Sequence, residues 1–245
     1  MSTTDTTAAA ETAAENTKDI IVARGVKKDY KSDSVVVHAV RGVDLTIEKG
    51  EFTAIVGPSG SGKTTFLNII SGLDTPTEGS VLLNGREVSG MSGNELSDFR
   101  RDNIGFVFQA YNLIPVLNVE ENVEYVMMLQ GIPKEKRHER VTDILGKMGL
   151  EGYENRFPAQ LSGGQQQRVA IARAMAAEPA LILADEPTAN LDSETSTSLL
   201  KMMRELNVQT GMTFLFSTHD QHVVDKARRV IILEDGRNVR DEIRE

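Results

Sequence analysis

Residues 57–65 read Gly-Pro-Ser-Gly-Ser-Gly-Lys-Thr-Thr, a glycine-rich stretch that indicates the class of fold. The apolar, strand-length run Phe52 to Val56 precedes it, and apolar residues with helical spacing follow from Thr64 to Ser71. The pattern therefore predicts a strand, a loop and a helix in immediate succession. Glycines let backbone N–H groups of such a loop turn inward, and the helix start adds a positive dipole. We predict that the loop binds an anion.

The chemistry of the loop follows from its GxxxxGK[ST] pattern, which is the P-loop of nucleotide-binding proteins. Lys63 is placed to reach the β- and γ-phosphates, and the hydroxyl of Thr64 to bind Mg²⁺. The alternative is a chance glycine-rich turn, which the strand and helix on either side disfavour. The predicted nucleotide-binding residues are Gly57, Pro58, Ser59, Gly60, Ser61, Gly62, Lys63, Thr64 and Thr65.

Farther along the chain, strands alternate with helices, which is typical of a largely parallel sheet. The pattern predicts helices over Gly164–Ala177 and Glu194–Asn207, and strands over Leu181–Ala184 and Thr213–Ser217. Val230–Leu233, the Asp235-Gly236 turn and the residues after it predict a hairpin. The core is therefore predicted to be α/β.

Two additions to this core are predicted. Short β-branched runs separated by charged or glycine turns indicate a small antiparallel N-terminal sheet; they are Ile20–Ala23, Val35–Val40 and Val43–Ile47. An inserted helical subdomain is expected over about residues 92–165, with helices over Glu120–Gln130 and Lys134–Met148 and a strand-like run at Ile104–Phe108 leading into it.

Composition limits the possible functions. The 245 residues suffice for one large domain, here predicted over 19–241, and residues 1–18 read as a disordered acidic tail. The chain has no cysteine, which excludes a disulfide framework or a thiolate zinc site. Its net charge of -9 makes nucleic acid an unexpected partner. No apolar run approaches the roughly 18 to 20 residues that span a bilayer.

A second acidic feature follows the strand Leu181 to Ala184, which ends in Asp185 and Glu186. Ligands bind at the carboxyl edge of parallel strands. Asp185 is expected to hold the coordination shell of Mg²⁺, and Glu186 is expected to polarise the water that attacks the phosphate. The alternative is an ordinary polar strand exit, which the presence of a P-loop makes less attractive.

Another glycine-rich helix start reads Leu161-Ser162-Gly163-Gly164-Gln165. Ser162 and Gln165 have the spacing of a capping box, so the helix should begin with exposed N–H groups suited to an anion. The stretch contains no lysine of its own. The alternative is a plain capped helix whose glycines allow close packing.

Taken in order, these motifs resemble those of ABC ATPases. The six are the P-loop at 57–64, Gln109 after a strand, the signature at 161–165, Asp185-Glu186, Ala189-Asn190-Leu191-Asp192, and His219. The resemblance covers about residues 20–241. Residues 72–79 (GLDTPTEG) and 184–188 (ADEPT) are similar to the lipoprotein-releasing and macrolide-export subgroup.

The resemblance implies a head-to-tail homodimer in which each ATP lies between the P-loop of one chain and Ser162 to Gln165 of the other. It implies that Gln109 senses the γ-phosphate and Mg²⁺, that His219 contacts the γ-phosphate, and that Asp192 lies at the pair interface. Tyr30 matches the aromatic residue on which adenine stacks. Catalysis is assigned to Glu186 with Lys63, Gln109 and His219, and Mg²⁺ binding to Thr64, Gln109 and Asp185.

The implied role is ATP hydrolysis that drives a separate integral membrane permease, with the chain in the cytoplasm and peripheral on the inner face of the membrane. One alternative within this class is an ATPase that transmits force to an extracytoplasmic process such as cell division. A second is a soluble ABC ATPase acting on DNA or ribosomes. The single cassette and the acidic charge disfavour the second.

Overall fold

A computed structural model describes residues 18–32 and 35–244; the predicted acidic tail, apart from Lys18, lies outside the described residues. The strands are β1 (Asp19–Ser32), β2 (Val35–Glu48), β3 (Phe52–Val56), β4 (Glu78–Leu83), β5 (Arg86–Glu87), β6 (Ile104–Phe108), β7 (Leu181–Asp185), β8 (Thr213–Thr218), β9 (Arg229–Glu234) and β10 (Arg237–Ile243). The helices are α1 (Lys63–Ile70), α2 (Gly93–Asn103), α3 (Val119–Leu129), α4 (Lys134–Lys147), α5 (Gly163–Ala176), α6 (Ser193–Thr210) and α7 (Gln221–Lys226). A short 3₁₀ turn covers Pro158–Gln160.

The central sheet has six strands in the order β10-β9-β3-β8-β7-β6. β9, β3, β8, β7 and β6 are parallel, and β10 closes the edge as the antiparallel arm of the predicted hairpin. Strand order differs from chain order, so helices must cross over between strands. The predicted α/β core with a parallel sheet is confirmed.

Both faces of the sheet are buried at strands β3, β6, β7 and β8, which explains why these strands read as nearly continuous apolar runs. On β8, Phe214 and Phe216 join one hydrophobic core with helices α3 to α7, whereas Leu215 between them joins a second core. This second core contains Phe66 and Ile70 of α1 and the buried side chains of β1 and β2. Helix α1 therefore packs between the two sheets.

The N-terminal sheet is antiparallel as predicted, with the order β2-β1-β4-β5. The prediction of separate strands over Val35–Val40 and Val43–Ile47 was wrong, because β2 runs through both. Gly42, at φ 85°, lies within the strand where the register against β1 shifts near Val26. A β-bulge accommodates this conformation without ending the ladder. β4 and β5 were not predicted.

The predicted helical region contains α2, α3 and α4, but β6 within it belongs to the central sheet. Asn118 caps α3 by accepting a hydrogen bond from the Glu121 N–H at 2.8 Å. Val123 and Met127 of α3 are fully buried in the core that α5 shares. Within the described residues, no helix has the length and apolar character needed to cross a bilayer.

Gly105 of β6 should tolerate no side chain, because a Cβ built there would lie 2.5 Å from the Ala174 carbonyl oxygen of α5. We expect Gly105→Ala to destabilise the protein by about 1–3 kcal/mol. Each kcal/mol lowers the melting temperature by about 2–4 °C in a chain of this size. Gly93→Ala is the control, since no atom lies within 4 Å of its Cβ position. Equal melting temperatures would contradict this packing.

Candidate nucleotide site

The carboxyl ends of parallel strands meet at one edge of a sheet, and most of the predicted site residues follow such an end. β3 leads into the P-loop, β6 into Gln109, β7 into Asp185 and Glu186, and β8 into His219. Phe108 pairs directly with Asp185 across β6 and β7, so Gln109 leaves the sheet beside the two carboxylates. The topology therefore gathers these residues, which are far apart in the chain.

The P-loop is held by close backbone contacts at its glycines. A Cβ at Gly57 would lie 2.1 Å from the Leu233 carbonyl oxygen of β9, and one at Gly62 would lie 2.3 Å from the Ala39 carbonyl oxygen of β2. Gly60 and Gly62 also have φ of 81° and 98°, which side chains rarely adopt. Glycine is therefore needed at 57 because of the contact, at 60 because of the backbone conformation, and at 62 because of both.

Lys63 begins α1 and is almost fully buried, at 8% exposure. Its ammonium donates to the carbonyl oxygens of Gly57 at 2.7 Å and Pro58 at 3.0 Å. An ammonium has three N–H donors, so one remains beyond these two bonds. The lysine is thus held within the loop with donor capacity left for a ligand.

A cleft of about 480 Å³ opens over the P-loop, a volume within the usual range for small-molecule pockets. Its walls include residues that the sequence reasoning missed: Val36, Val37, His38, Ala39 and Arg41 of β2, and Asp235 and Gly236 of the β9–β10 turn. The one feature of the sequence that could have indicated this wall is the run Val35-Val36-Val37. These three valines are exposed, although apolar residues in a β-sheet are usually buried on one face.

Tyr30 lies near the end of β1, paired in register with Val37 of the cleft wall. Its ring is 43% exposed, and its hydroxyl donates to Asp74 Oδ2 at 2.7 Å. Partial burial and the bond to Asp74 raise the pKa of the phenol, while the Thr65 hydroxyl nearby lowers it. Tyr30 therefore lies beside the P-loop helix with an exposed ring, and adenine stacking stays a prediction.

Asp185 ends β7 in a partly buried position. Its Oδ1 atom is buried and has no hydrogen-bond partner among the described residues. Burial raises the pKa of Asp185, the neighbouring Glu186 adds to the rise, and Ser217 and Lys63 oppose it. A buried carboxylate oxygen without a partner is costly, so this oxygen has reason to bind a cation.

The next residue, Glu186, has φ of 47°, an unusual backbone conformation for glutamate. Its N–H donates to the Ser217 carbonyl oxygen at 2.8 Å. Its carboxylate accepts from His219 Nδ1 at 2.6 Å and from the Thr218 hydroxyl at 3.0 Å. Glu186 and His219, predicted separately, are therefore direct partners.

Ser162 is exposed and caps α5, with its hydroxyl oxygen accepting from the Gln165 N–H at 3.3 Å, as the predicted capping box requires. The glycines after it do pack closely: a Cβ at Gly163 would lie 2.8 Å from the Tyr111 hydroxyl, and one at Gly164 would lie 2.6 Å from Thr195. The packing explanation for these glycines is correct, and it is compatible with an anion-binding helix start.

Gln109 and Asp192 are both exposed. The Asn190 side chain donates to the Gln109 carbonyl oxygen at 2.9 Å, which ties the residues after β6 to those after β7. Asp192 caps α6 by accepting from the Thr195 N–H at 2.9 Å, and this bond lowers the pKa of Asp192. A capping role is thus visible for Asp192, while its place at a pair interface stays a prediction.

We expect Asp185→Asn to raise the melting temperature of the nucleotide-free protein. Below about pH 4 the aspartate is neutral whether folded or unfolded, so the gain should be small there. As the pH rises toward 7, the native state must ionise a buried carboxyl whose pKa is raised, so the gain should grow. Asp98→Asn, at a side chain that is 70% exposed, is the control. A gain that shrinks with rising pH would contradict this assignment.

Three comparisons with known proteins agree with this geometry. A family model described as ABC transporter matches residues 40–189. An uncharacterized ABC transporter ATP-binding protein of Methanocaldococcus jannaschii, MJ0796, is 45% identical over 91% of this chain and 97% of its own length. A solved dimeric structure of the ATP-binding cassette MJ0796, in a post-hydrolysis state with ADP and Pi, covers 92% of this chain and 99% of its own with a TM-score of 0.84 and 44% identity.

A longer relative is also similar. The macrolide export ATP-binding/permease protein MacB of Nitrobacter winogradskyi is 45% identical over 92% of this chain, but the match covers only 35% of MacB.

Proposed function

Because this chain belongs to the ABC transporter family, we propose that it is the ATP-hydrolysing subunit of a transporter and that two copies bind ATP head to tail. The pair closes around ATP and opens after hydrolysis, and this movement powers a separate membrane permease. The dimeric, ADP-bound structure of a relative at 44% identity supports the pairing and the reaction.

One observation supports the head-to-tail arrangement above the others. The cleft over the P-loop is lined by described residues of the P-loop, β2 and the 235–236 turn, and no residue of 161–165 is among them. Ser162 is nevertheless exposed at a helix start suited to an anion. A second chain that brings its Ser162 to this cleft would complete the site.

Within the site, backbone N–H groups of residues 57–65 bind the phosphates, and the third donor of Lys63 reaches the γ-phosphate. The Tyr30 ring, which neighbours the cleft residue Val37 across β1 and β2, stacks on the adenine. Ser162 of the second chain adds its hydroxyl proton, which remains available because the Gln165 N–H uses only the oxygen of Ser162.

The residues present fit a magnesium ion. The Oδ1 atom of Asp185, which has no partner among the described residues, can supply an oxygen ligand, as Mg²⁺ prefers. The exposed hydroxyl of Thr64 and the amide oxygen of Gln109, whose preceding residue pairs with Asp185, can do the same. When bound, Mg²⁺ supplies positive charge against the phosphate oxygens.

For hydrolysis, Glu186 orients the attacking water in line with the γ-phosphate. His219 Nδ1 bonds Glu186, so its other ring nitrogen is left to contact the γ-phosphate, and the His219 side chain is 72% exposed. Charge that spreads over the phosphoryl oxygens is stabilised by Lys63 and by the Ser162 helix start of the second chain. Positioning and electrostatics therefore account for the catalysis.

The permease partner can be tested by tagging the chain and purifying it from detergent-solubilised membranes. We expect a specific integral membrane protein in near-equal amount, and ATP turnover that depends on the pair. This partner would place the chain at the cytoplasmic face of the membrane. Recovery of the tagged chain only in the soluble fraction, with no membrane protein, would contradict the proposal.

A further inference from the structure

A chain of hydrogen bonds leads from the carboxylate of Glu186 into the protein. The Thr218 hydroxyl donates to Glu186 Oε2 at 3.0 Å, and the Asp220 N–H donates to the same hydroxyl oxygen at 2.9 Å. The Thr188 hydroxyl donates to Asp220 Oδ2 at 2.6 Å. The bonds join the turn after β7 to the turn after β8.

The direction of the first bond is fixed. A carboxylate can only accept, so the single proton of Thr218 must point at Glu186. The Asp220 N–H meanwhile occupies a lone pair of the Thr218 oxygen, which disfavours other rotations of the hydroxyl. Thr218 is fully buried, at 0% exposure, so water does not compete for this bond. Glu186 therefore has one donor that cannot turn away, besides the exposed His219.

Asp220 is itself held from three sides. Its Oδ2 accepts from Thr188, its Oδ1 accepts from the His222 N–H at 2.9 Å where it caps α7, and its own N–H bonds Thr218. Thr188 is 3% exposed. Behind it, the buried Gln167 of α5 donates to the Pro187 carbonyl oxygen at 2.7 Å. The turn after Glu186 is thus tied to α5 and to the turn after β8.

We propose that Thr218 is a positioning residue that fixes the carboxylate of Glu186 for attack by water, and that Thr188 and Asp220 hold Thr218 in place. The proposal rests on the function proposed above. A glutamate side chain has several rotatable bonds, and the bonds from Thr218 and His219 select one orientation of its carboxylate. An unheld carboxylate would still allow ATP to bind, but would seldom orient water.

The test compares Thr218→Val with Thr218→Ser in the full chain, measuring kcat and KM for ATP with Mg²⁺. A hydrogen bond to a charged group is lost only in the valine variant, so we expect its kcat to fall roughly ten- to a hundredfold, with KM changed less than about twofold. Serine keeps the hydroxyl and should restore most of the activity. Thr188→Val, one link farther away, should lower kcat by about three- to tenfold.

Thr53→Val is the matched control. Thr53 is also fully buried and also donates to a glutamate, Glu51 Oε2 at 2.6 Å, but it lies at the opposite end of β3 from the P-loop. It should leave kcat unchanged, which separates loss of positioning from loss of stability. Thermal melting of each variant checks folding, and Thr188→Val decides the matter if Thr218→Val does not fold.

Three results would overturn the inference: a kcat in Thr218→Val equal to that of Thr53→Val, failure of serine to restore activity, or a loss expressed in KM alone. Normal turnover in both Thr218→Val and Thr188→Val would overturn the positioning role of Thr218 but would leave the proposed function intact. Absence of ATP turnover in the wild type, alone and with its membrane partner, would overturn the proposed function and this inference together.

Discussion

Glu186→Gln is expected to abolish ATP turnover while ATP binding persists. Glutamine keeps the size of the side chain but loses the charge that we propose polarises water, so kcat should fall by about 10²–10⁴-fold. In the proposed cycle the pair opens only after hydrolysis, so the variant should accumulate as a dimer with ATP and Mg²⁺. Size-exclusion chromatography with light scattering would measure the dimer, and phosphate release would measure turnover.

Glu178→Gln is the control for this substitution. Glu178 also has a positive φ, of 50°, but it follows α5 and pairs at the surface with Arg140 at 3.2 Å. It should hydrolyse ATP as the wild type does and should not accumulate as a dimer. Near-normal turnover in Glu186→Gln would remove Glu186 from the role of catalytic residue.

Mixed dimers of two variant chains test whether the two copies pair head to tail. Lys63→Ala removes the ammonium from the P-loop, and Ser162→Arg blocks the exposed start of α5. In a head-to-tail pair, a Lys63→Ala chain joined to a Ser162→Arg chain has one site in which both elements are intact. We therefore expect this heterodimer to hydrolyse ATP although each variant alone is inactive, since loss of one such element costs about 10²–10³ in kcat.

The same two substitutions in one chain provide the control. A wild-type chain paired with the double variant has no intact site if the pair is head to tail, because each site then lacks one element. If each chain built its own site, the heterodimer of the two single variants would be inactive, and the heterodimer that contains a wild-type chain would be active. Heterodimers purified through two different affinity tags and assayed for phosphate release would distinguish the arrangements.

Much of the fold could be predicted because its signals are local. The strands Phe52–Val56 and Ile104–Phe108 have the predicted bounds, and α5 begins at the predicted cap, Ser162. Gly42 misled the prediction, because a glycine with positive φ serves either a turn or a bulge. The pairing of β2 with β1 decides between them.

The nucleotide site likewise has parts that could be predicted from the sequence and parts that could not. Its motifs were predicted because a P-loop or a capped helix is built by consecutive residues, whose types the sequence states directly. The wall formed by Val36 to Arg41 was missed, because it depends on where β2 lies against the P-loop. No short pattern marks such a wall.

Local motifs were enough to identify the chemical groups of the candidate site: the ammonium of Lys63, the paired carboxylates of Asp185 and Glu186, and the serine-capped helix start. How these groups are held became visible only in the folded chain. Tyr30 bonds a residue 44 positions away, and Glu186 a residue 32 positions away. Such contacts follow from strand order and register, which bring distant segments to one edge of a sheet, and this is why the burial of Asp185 and the support of Glu186 could not be deduced from local pattern.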